Sequence, residues 1–236
     1  MAAARTITVL INDKQRSAHL PALFLPAENR NPKSLYSNLL AGASTGNLKD
    51  MQKFMAADDV AQTVRQISQQ ILTAGELMAG DPLALVGIRR RGEILAQRIA
   101  AAIYTETNRT LEVGALDITM YRDDVVGNRS IIIPMGTEMN FRIDDRPVLL
   151  LDDVLHTGRS VRAALDALVD FGRPRFIRLA VLVDRGGREF PISADFVGRR
   201  LEVPDKSRVR VSLKPIDSDD AVFVESTTPA TGGDSR

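Results

Sequence analysis

The sequence predicts an α/β protein built on a mainly parallel sheet flanked by helices, and three observations carry that expectation. Residues 148–151 (VLLL) are four consecutive apolar residues, the pattern of a strand buried on both faces of a parallel sheet. Strand, turn and amphipathic helix then recur in that order at two places in the chain. Finally, a length of 236 residues with 44% hydrophobic content can fill one core of about 170 residues and leave tails.

Composition removes several classes of function. Lys+Arg is 31 and Asp+Glu is 30, so a net charge of +1 gives no global attraction to nucleic acid or membrane. There is no cysteine, which excludes disulfides, thiolate nucleophiles and Cys-ligated zinc. His19 and His156 are the only histidines, too few for a multi-histidine metal site. No apolar run approaches the roughly 18 residues that span a bilayer, and the start lacks a secretory h-region. A cytoplasmic protein with no membrane or DNA partner is expected.

In order, residues 6–11 (TITVLI) read as a short strand, Pro21, Pro26 and Pro32 break the next stretch, and residues 42–47 (GASTGN) read as a linker. This extension is assigned no function. Asp58 or Asp59 can cap a helix whose Val60, Val64, Ile67 and Ile71 share one stripe. Gly80-Asp81-Pro82 turns the chain into a strand over residues 83–88 (LALVGI). Arg89, Arg90, Arg91 and Gly92 come next, then a helix burying Leu95, Ile99, Ala102 and Ile103. Such a turn suits an anion, because a helix N-terminus offers unpaired N–H groups and about half a positive charge. A solvated arginine cluster is the alternative, slightly favoured on the local pattern alone.

Residues 116–121 alternate, with Leu116, Ile118 and Met120 on one face and Asp117, Thr119 and Tyr121 on the other, and read as a strand. Arg122, Asp123 and Asp124 open a loop running to about Glu138, with Gly127, Asn128, Pro134 and Gly136 inside it. The run at 148–151 ends in two adjacent carboxylates, Asp152 and Asp153, expected where the strand leaves the core. Thr157, Gly158, Arg159 and Ser160 form a turn, and a helix from about Ser160 carries Val161, Ala164, Leu165, Leu168 and Val169 at helical spacing. Gly172 and Pro174 supply the stop.

The chemistry of that stretch is direct. Gly158 lets the backbone approach a phosphate, and Thr157 and Ser160 can donate hydroxyl hydrogen bonds to it. Two carboxylates a few ångströms back suit the vicinal hydroxyls of a ribose. The pattern describes a site for a ribose 5-phosphate, although an Asp pair at a strand end also occurs in metal-binding phosphoacceptor domains. Residues 176–183 are a further buried-strand run, succeeded by Asp184, Arg185, Gly186, Gly187, Arg188 and Glu189. These six read equally as a binding loop or a charged surface loop. Residues 209–213 and 221–224 are late strands, and residues 226–236 (STTPATGGDSR) form a polar tail expected to be disordered.

Residues 148–160 resemble the phosphoribosyl-pyrophosphate (PRPP) signature of type I phosphoribosyltransferases. LDITMYRDD (116–124), LDDVLHTGRSVRAALDALVDFGRP (151–174) and LAVLVDRGGREFPISADFVGR (179–199) together resemble the bifunctional pyrimidine operon regulator/uracil phosphoribosyltransferase family. The resemblance covers residues 55–224 in three ordered motifs. It implies the type I phosphoribosyltransferase fold with a small hood, and the reaction uracil + PRPP → UMP + pyrophosphate. The resemblance places PRPP on Asp152, Asp153, Val154, Leu155, His156, Thr157, Gly158, Arg159 and Ser160, and pyrophosphate on Arg89, Arg90, Arg91 and Gly92. It places the base on Asp184, Arg185, Gly186 and Gly187, and makes residues 122–138 a mobile catalytic loop. Catalysis falls to Asp152, Asp153 and Arg122, with Mg²⁺ carried mainly by substrate and reached by Asp152 or Asp153 through water. A homodimer or higher homo-oligomer is implied.

The sequence departs from the family at four places. His156 stands where Tyr is frequent, Ser160 replaces a Thr, and Gly187 replaces a His common in the hood. Family members that bind messenger RNA carry several basic residues in the first shared helix. Residues 60–72 here have only Arg65, with Gln62, Gln66, Gln69 and Gln70 on the polar face. The expectation is therefore a uracil phosphoribosyltransferase domain over residues 51–225, an N-terminal extension over 1–50, a tail over 226–236, and weak or absent binding of an mRNA leader. The alternatives are an RNA-binding attenuation regulator that senses UMP with weak catalysis, and a same-fold enzyme for another base.

Overall fold

The computed structural model describes residues 7–8, 19–20, 51–123, 134–204 and 207–226. The expected polar tail, apart from Ser226, lies outside the described residues, as does the linker at 42–47. The chain divides into two compact units, residues 1–48 and 49–236. In the first, β1 (Ile7–Thr8) pairs antiparallel with β2 (His19–Leu20). The second contains, in order, β3 (Met51–Met55), α1 (Ala57–Thr73), α2 (Gly75–Met78), β4 (Ala84–Ile88), α3 (Arg91–Thr107) and β5 (Glu112–Leu116). It continues with β6 (Pro147–Leu155), α4 (Arg159–Val169), β7 (Phe176–Asp184), β8 (Phe196–Arg200), β9 (Ser207–Ser212) and β10 (Ala221–Ser226).

The core is a parallel sheet in the order β5-β4-β6-β7-β8. Successive side chains of β6 point to opposite faces. Leu149 and Leu151 pack with Leu85, Leu95 and Ile99 beneath α1 and α3, while Val148 and Leu150 pack with Val86, Leu168 and Val181 beneath α4. These four β6 side chains are fully buried, each contributing roughly 1.5–3 kcal/mol relative to exposure. That two-sided burial is why the strand reads as an unbroken apolar run instead of alternating. A second, antiparallel sheet in the order β3-β10-β9 adds Met55, Val209, Val211 and Val222 to the α1–α3 side. Two ion pairs fasten it to α3: Arg91 to Asp217 at 2.9 Å and Arg98 to Asp220 at 2.8 Å.

Several local expectations need correction. β6 does not end before the carboxylates but runs to Leu155, because β7 stays alongside (Asp152 opposite Val181, Val154 opposite Val183) after the pairing with β4 has stopped at Gly87. Residues 116–121 are not a strand. β5 ends at Leu116, and the Asp117 carboxylate accepts the Thr119 N–H at 2.9 Å, which turns the chain into a 3₁₀ helix over Thr119–Tyr121. Met120, placed on one face with Leu116 and Ile118 by the alternation, is 80% exposed while those two are buried. α1 begins one residue before Asp58, and Asp59 acts from its first turn by accepting the Ala56 N–H at 2.9 Å. β3 and β8 had no sequence signal strong enough to announce them.

Candidate active site

β4 connects through α3 to β5 on one side, whereas β6 connects through α4 to β7 on the other. The sheet order therefore reverses between β4 and β6, and the crevice at their C-terminal ends is the place where such sheets bind ligands. Two long helices, α3 and α4, start there from neighbouring strands, and each points unpaired N–H groups back toward the crevice. Asp152 and Asp153 lie between those two helix starts.

Asp152 is only 7% exposed, and its Oδ1 accepts the Asp153 N–H at 2.9 Å. Burial first, and the Asp153 charge second, push Asp152 well above the usual carboxylate range; Arg122 opposes the shift. Burial also raises Asp153, against the pull of Arg91. Full ionisation of the pair is thus disfavoured until something compensates its charge, and each member is near a different arginine. Such a pair is suited to a ligand that brings hydroxyl donors or positive character.

The turn after β6 is built from Gly158, the residue before α4, with φ +92°. A β-carbon there would meet Phe190 Cβ at 3.3 Å and Ile192 Cδ1 at 3.4 Å. Thr157 O accepts the N–H groups of Glu189 (2.9 Å) and Phe190 (3.0 Å), so the segment after β7 braces the turn. The Ser160 hydroxyl accepts from Arg122 Nη1 at 3.4 Å. The Arg159 side chain is engaged within the protein. Its guanidinium is held by Glu189 and by Asp123 (2.8 Å) and lies 5.5 Å from the Phe190 ring centre, so its side chain ties segments together. Its backbone N–H remains part of the helix start.

The turn after β4 also differs in detail from a simple basic cluster. Arg89 is an ion partner of Glu138 at 2.7 Å and Glu93 at 3.6 Å, Arg91 is held bidentately by Asp217, and Arg90 is exposed and unpaired among the described residues. Gly92 is buried against β6. A β-carbon on it would stand 2.3 Å from Leu151 O and 3.3 Å from Asp152 Cα, which explains the glycine as a packing requirement. Gly92→Ala is expected to destabilise the protein by about 1–3 kcal/mol through forced separation of α3 from β6. Denaturant unfolding measures this, and an unchanged midpoint would contradict it.

The loop after β7 sits over the β6 turn. Arg185 N donates to Leu155 O at 3.0 Å, and Arg188 Nη1 donates to His156 O at 2.9 Å. Burial works against the Asp184 charge, yet the hydrogen bonds from Arg188 (2.6 Å) and the Gly186 N–H (3.0 Å) hold it below the usual carboxylate range. Gly186 and Gly187 have φ +70° and +71°, and a β-carbon on Gly187 would stand 2.9 Å from His156 Nε2. Burial, then Arg185 and Arg188, push His156 down, which favours the neutral imidazole despite Glu189. Val154 and Leu155 belong to β6 itself, with Val154 against the α1–α3 core and Leu155 in the α4 core.

Most of the expected catalytic loop, residues 124–133, lies outside the described residues. Its flanks are held by hydrogen bonds to the end of β5. Asp117 accepts the N–H groups of Met135 (2.6 Å) and Gly136 (2.9 Å), and its own N–H donates to the Thr137 hydroxyl (3.0 Å). Burial opposes its charge, but these bonds and those from Thr119 hold Asp117 below its usual range. Glu138 and Ala115 exchange two backbone hydrogen bonds of 2.8 Å. Sequence reasoning gave no individual site role to Asp117, Asp217 or Phe190 and placed Glu138 and Glu189 only within loops, because each acts on a partner distant in sequence or on backbone groups.

Phosphate-ready helix starts on both sides of a carboxylate pair, at the switch point of a parallel sheet, define a phosphoribosyltransferase. Residues 51–213 match the phosphoribosyl transferase domain. The bifunctional protein PyrR of Roseiflexus sp. (strain RS-1) is 46% identical over 183 residues, covering 77% of this chain and 98% of that protein. The PyrR of Mycolicibacterium paratuberculosis is 44% identical over 191 residues, with 78% and 98% covered. The chain belongs to the phosphoribosyl transferase domain family and, within it, to the family of the bifunctional protein PyrR. Among solved structures, a hypoxanthine phosphoribosyltransferase from Trypanosoma cruzi superposes with a TM-score of 0.59 at 16% identity, over 76% of this chain and 97% of that one. One from Staphylococcus aureus gives 0.54 at 18% identity, over 79% and 98%. At that identity the likeness concerns the fold.

Proposed function

We propose that the protein transfers the phosphoribosyl group of PRPP to uracil, forming UMP and pyrophosphate. The observation that carries this reading is the carboxylate pair flanked by two helix starts on adjacent strands. PRPP has one phosphate group at C5 and a pyrophosphate at C1, and the two helix starts match the two ends of such a molecule. The α4 start, with Thr157, Gly158 and Ser160, takes the 5-phosphate, and the Arg89–Gly92 turn takes the pyrophosphate. Asp152 and Asp153 accept hydrogen bonds from the ribose hydroxyls between them. The Asp184–Gly187 loop, braced over His156, offers backbone donors and acceptors to the two carbonyls and ring N–H groups of uracil.

In the reaction, N1 of uracil forms a bond to C1 of the ribose as the C1–oxygen bond breaks. Pyrophosphate leaves with the electron pair, and the N1 proton is released. The transition state carries positive character at C1, which the Asp pair favours electrostatically. Arg122, beside Ser160 and within the field of Asp152, orients the phosphate turn against that pair. Among the described residues no group of three or more His, Asp or Glu is placed to hold a metal alone. Asp152 and Asp153 nevertheless fit Mg²⁺, which accepts one or two carboxylates alongside phosphate oxygens and water. Bound with the substrate, Mg²⁺ neutralises the leaving group. The test is PRPP-dependent UMP formation from uracil, with and without Mg²⁺; absence of UMP with uracil, but product with a purine or orotate, would reassign the base.

No helix among the described residues is long and apolar enough to cross a membrane. The α1 face bears on a second partner. Gln62, Arg65, Gln66, Gln69 and Gln70 line a groove with Glu106, Gly198 and Arg199. Gln69 donates to Glu106 at 3.1 Å, and Arg199 donates to Gln66 at 2.9 Å. RNA affinity rests largely on Lys and Arg contacts to phosphate, and this groove offers two cations with a carboxylate beside them. Specific binding to the leader of its own pyrimidine genes is therefore expected to be weak or absent at physiological salt. A nanomolar affinity, strengthened by UMP and selective against an unrelated hairpin, would overturn that expectation.

A further inference from the structure

The three arginines of the turn after β4 do not share one environment. Arg89 is almost buried, at 11% side-chain exposure, between Glu93 on α3 and Glu138 beyond residues 124–133. Its Nε makes no hydrogen bond, and its Nη2 lies 2.7 Å from Glu138 Oε1 without the alignment of one, so the contact is ionic. Its backbone N–H donates to Leu116 O at 2.9 Å, where β5 ends. Arg91 is fixed from the opposite side by two hydrogen bonds, of 3.0 and 2.9 Å, to Asp217 in the connection between β9 and β10. Asp217 is itself anchored, accepting the Leu213 N–H at 2.8 Å. Only Arg90, between these two fastened neighbours, projects unpaired among the described residues.

We propose that Glu138 and Asp217 are positioning residues for the pyrophosphate group, acting through Arg89 and Arg91, and that Arg90 is the side chain that meets the leaving group's charge. The inference rests on the phosphoribosyl-transfer reading. A pyrophosphate is held by several N–H groups of one turn at once, so the turn must be set before the ligand arrives. Glu138 belongs to the segment paired with Ala115, and Asp217 to the connection between β9 and β10 of the small antiparallel sheet. The turn is therefore referenced to two separate parts of the fold. Gly92, pressed onto the β6 backbone, is the third fixed point. Two of the three cations thus serve as tethers.

Positioning and simple electrostatics predict effects of opposite sign. Glu138 and Asp217 are negative charges close to a site for a polyanion. If charge alone mattered, removing either would tighten pyrophosphate binding. If they position the turn, removing either weakens it.

The experiment is calorimetric titration of the full-length protein with magnesium pyrophosphate and, separately, with UMP. Glu138→Gln and Asp217→Asn are each expected to weaken pyrophosphate roughly five- to tenfold and to leave UMP affinity unchanged. Arg90→Gln is expected to weaken pyrophosphate and also flatten its salt dependence, which the other two variants retain. Glu138 is more than half exposed and the Asn at 217 keeps an acceptor for Leu213, so both variants are expected to fold. Unchanged or tighter pyrophosphate binding in folded Glu138→Gln and Asp217→Asn overturns the inference, as does an equal loss of UMP affinity. No binding of pyrophosphate by the wild-type protein would instead remove the phosphoribosyl-transfer reading on which the inference rests.

Discussion

Asp153→Asn is expected to lower kcat by roughly 30- to 1,000-fold with the fold intact, the equivalent of ~2–4 kcal/mol of transition-state stabilisation. The substitution is nearly isosteric, so it removes charge and leaves shape. Positive character at C1 develops only as pyrophosphate departs, so the lost interaction belongs to the transition state and appears in kcat more than in KM. Asp152→Asn is expected to act in the same direction, since Asp152 is the neighbouring member of the same acidic pair near the end of β6. Steady-state kinetics at saturating PRPP, with circular dichroism as the control for folding, measures both. A folded Asp153→Asn enzyme with wild-type kcat would take Asp153 out of the mechanism.

The same pair predicts a gain in stability where activity is lost. Asp152 has a folded-state pKa raised by burial and then by Asp153. For a raised carboxylate, folded and unfolded chains both hold the proton at low pH and no penalty exists. The penalty grows as pH rises from the unfolded value to the raised folded value, and is complete above it. Asp152→Asn abolishes that penalty while its amide oxygen can still accept the Asp153 N–H. At neutral pH the variant should therefore melt higher, with ~1 kcal/mol appearing as about 2–4 °C. Below about pH 4, near the unfolded carboxylate value, the advantage should vanish. A lower melting temperature at neutral pH would mean that the carboxylate is better compensated than its burial implies.

The central unit was legible because each of its parts leaves a local trace. Leu149, Leu150 and Leu151 are buried on alternate faces and so read as one apolar run, and Val161, Ala164 and Leu168 repeat at the helical period. Gly158 stands at a positive φ that few other residues tolerate. What escaped the sequence is long-range pairing. Asp117 looked like the polar face of a strand because alternation cannot distinguish it from a residue whose carboxylate captures backbone N–H groups eighteen and nineteen positions away. Arg89, Arg90 and Arg91 looked equivalent; their separate roles depend on Glu138 and Asp217, which only the fold brings near. β8 was missed because FVGRR has a glycine at its centre. The structure explains that glycine, since a β-carbon on Gly198 would stand 2.3 Å from Thr63 Cγ2 on α1.

Gly158→Val is expected to weaken PRPP binding roughly 5- to 150-fold, the equivalent of roughly 1–3 kcal/mol of backbone strain and misplacement. Gly158 has φ +92°, a conformation that a β-branched residue reaches only at high steric cost. Its absent β-carbon would also press on Phe190 and Ile192, the residues that brace the turn from the β7 side. Relief requires either rotating the turn or pushing that segment away, and both displace the first N–H groups of α4 from the phosphate. Ala164→Gly is the matched comparison, because Ala164 lies on the same helix, fully buried in the α4 core and away from the turn. It should cost about 1 kcal/mol of stability and leave PRPP affinity unchanged. Calorimetric titration with PRPP and denaturant unfolding of both variants separate the two effects. Equal PRPP affinities for the two folded variants would show that the positive-φ turn is not what positions the 5-phosphate.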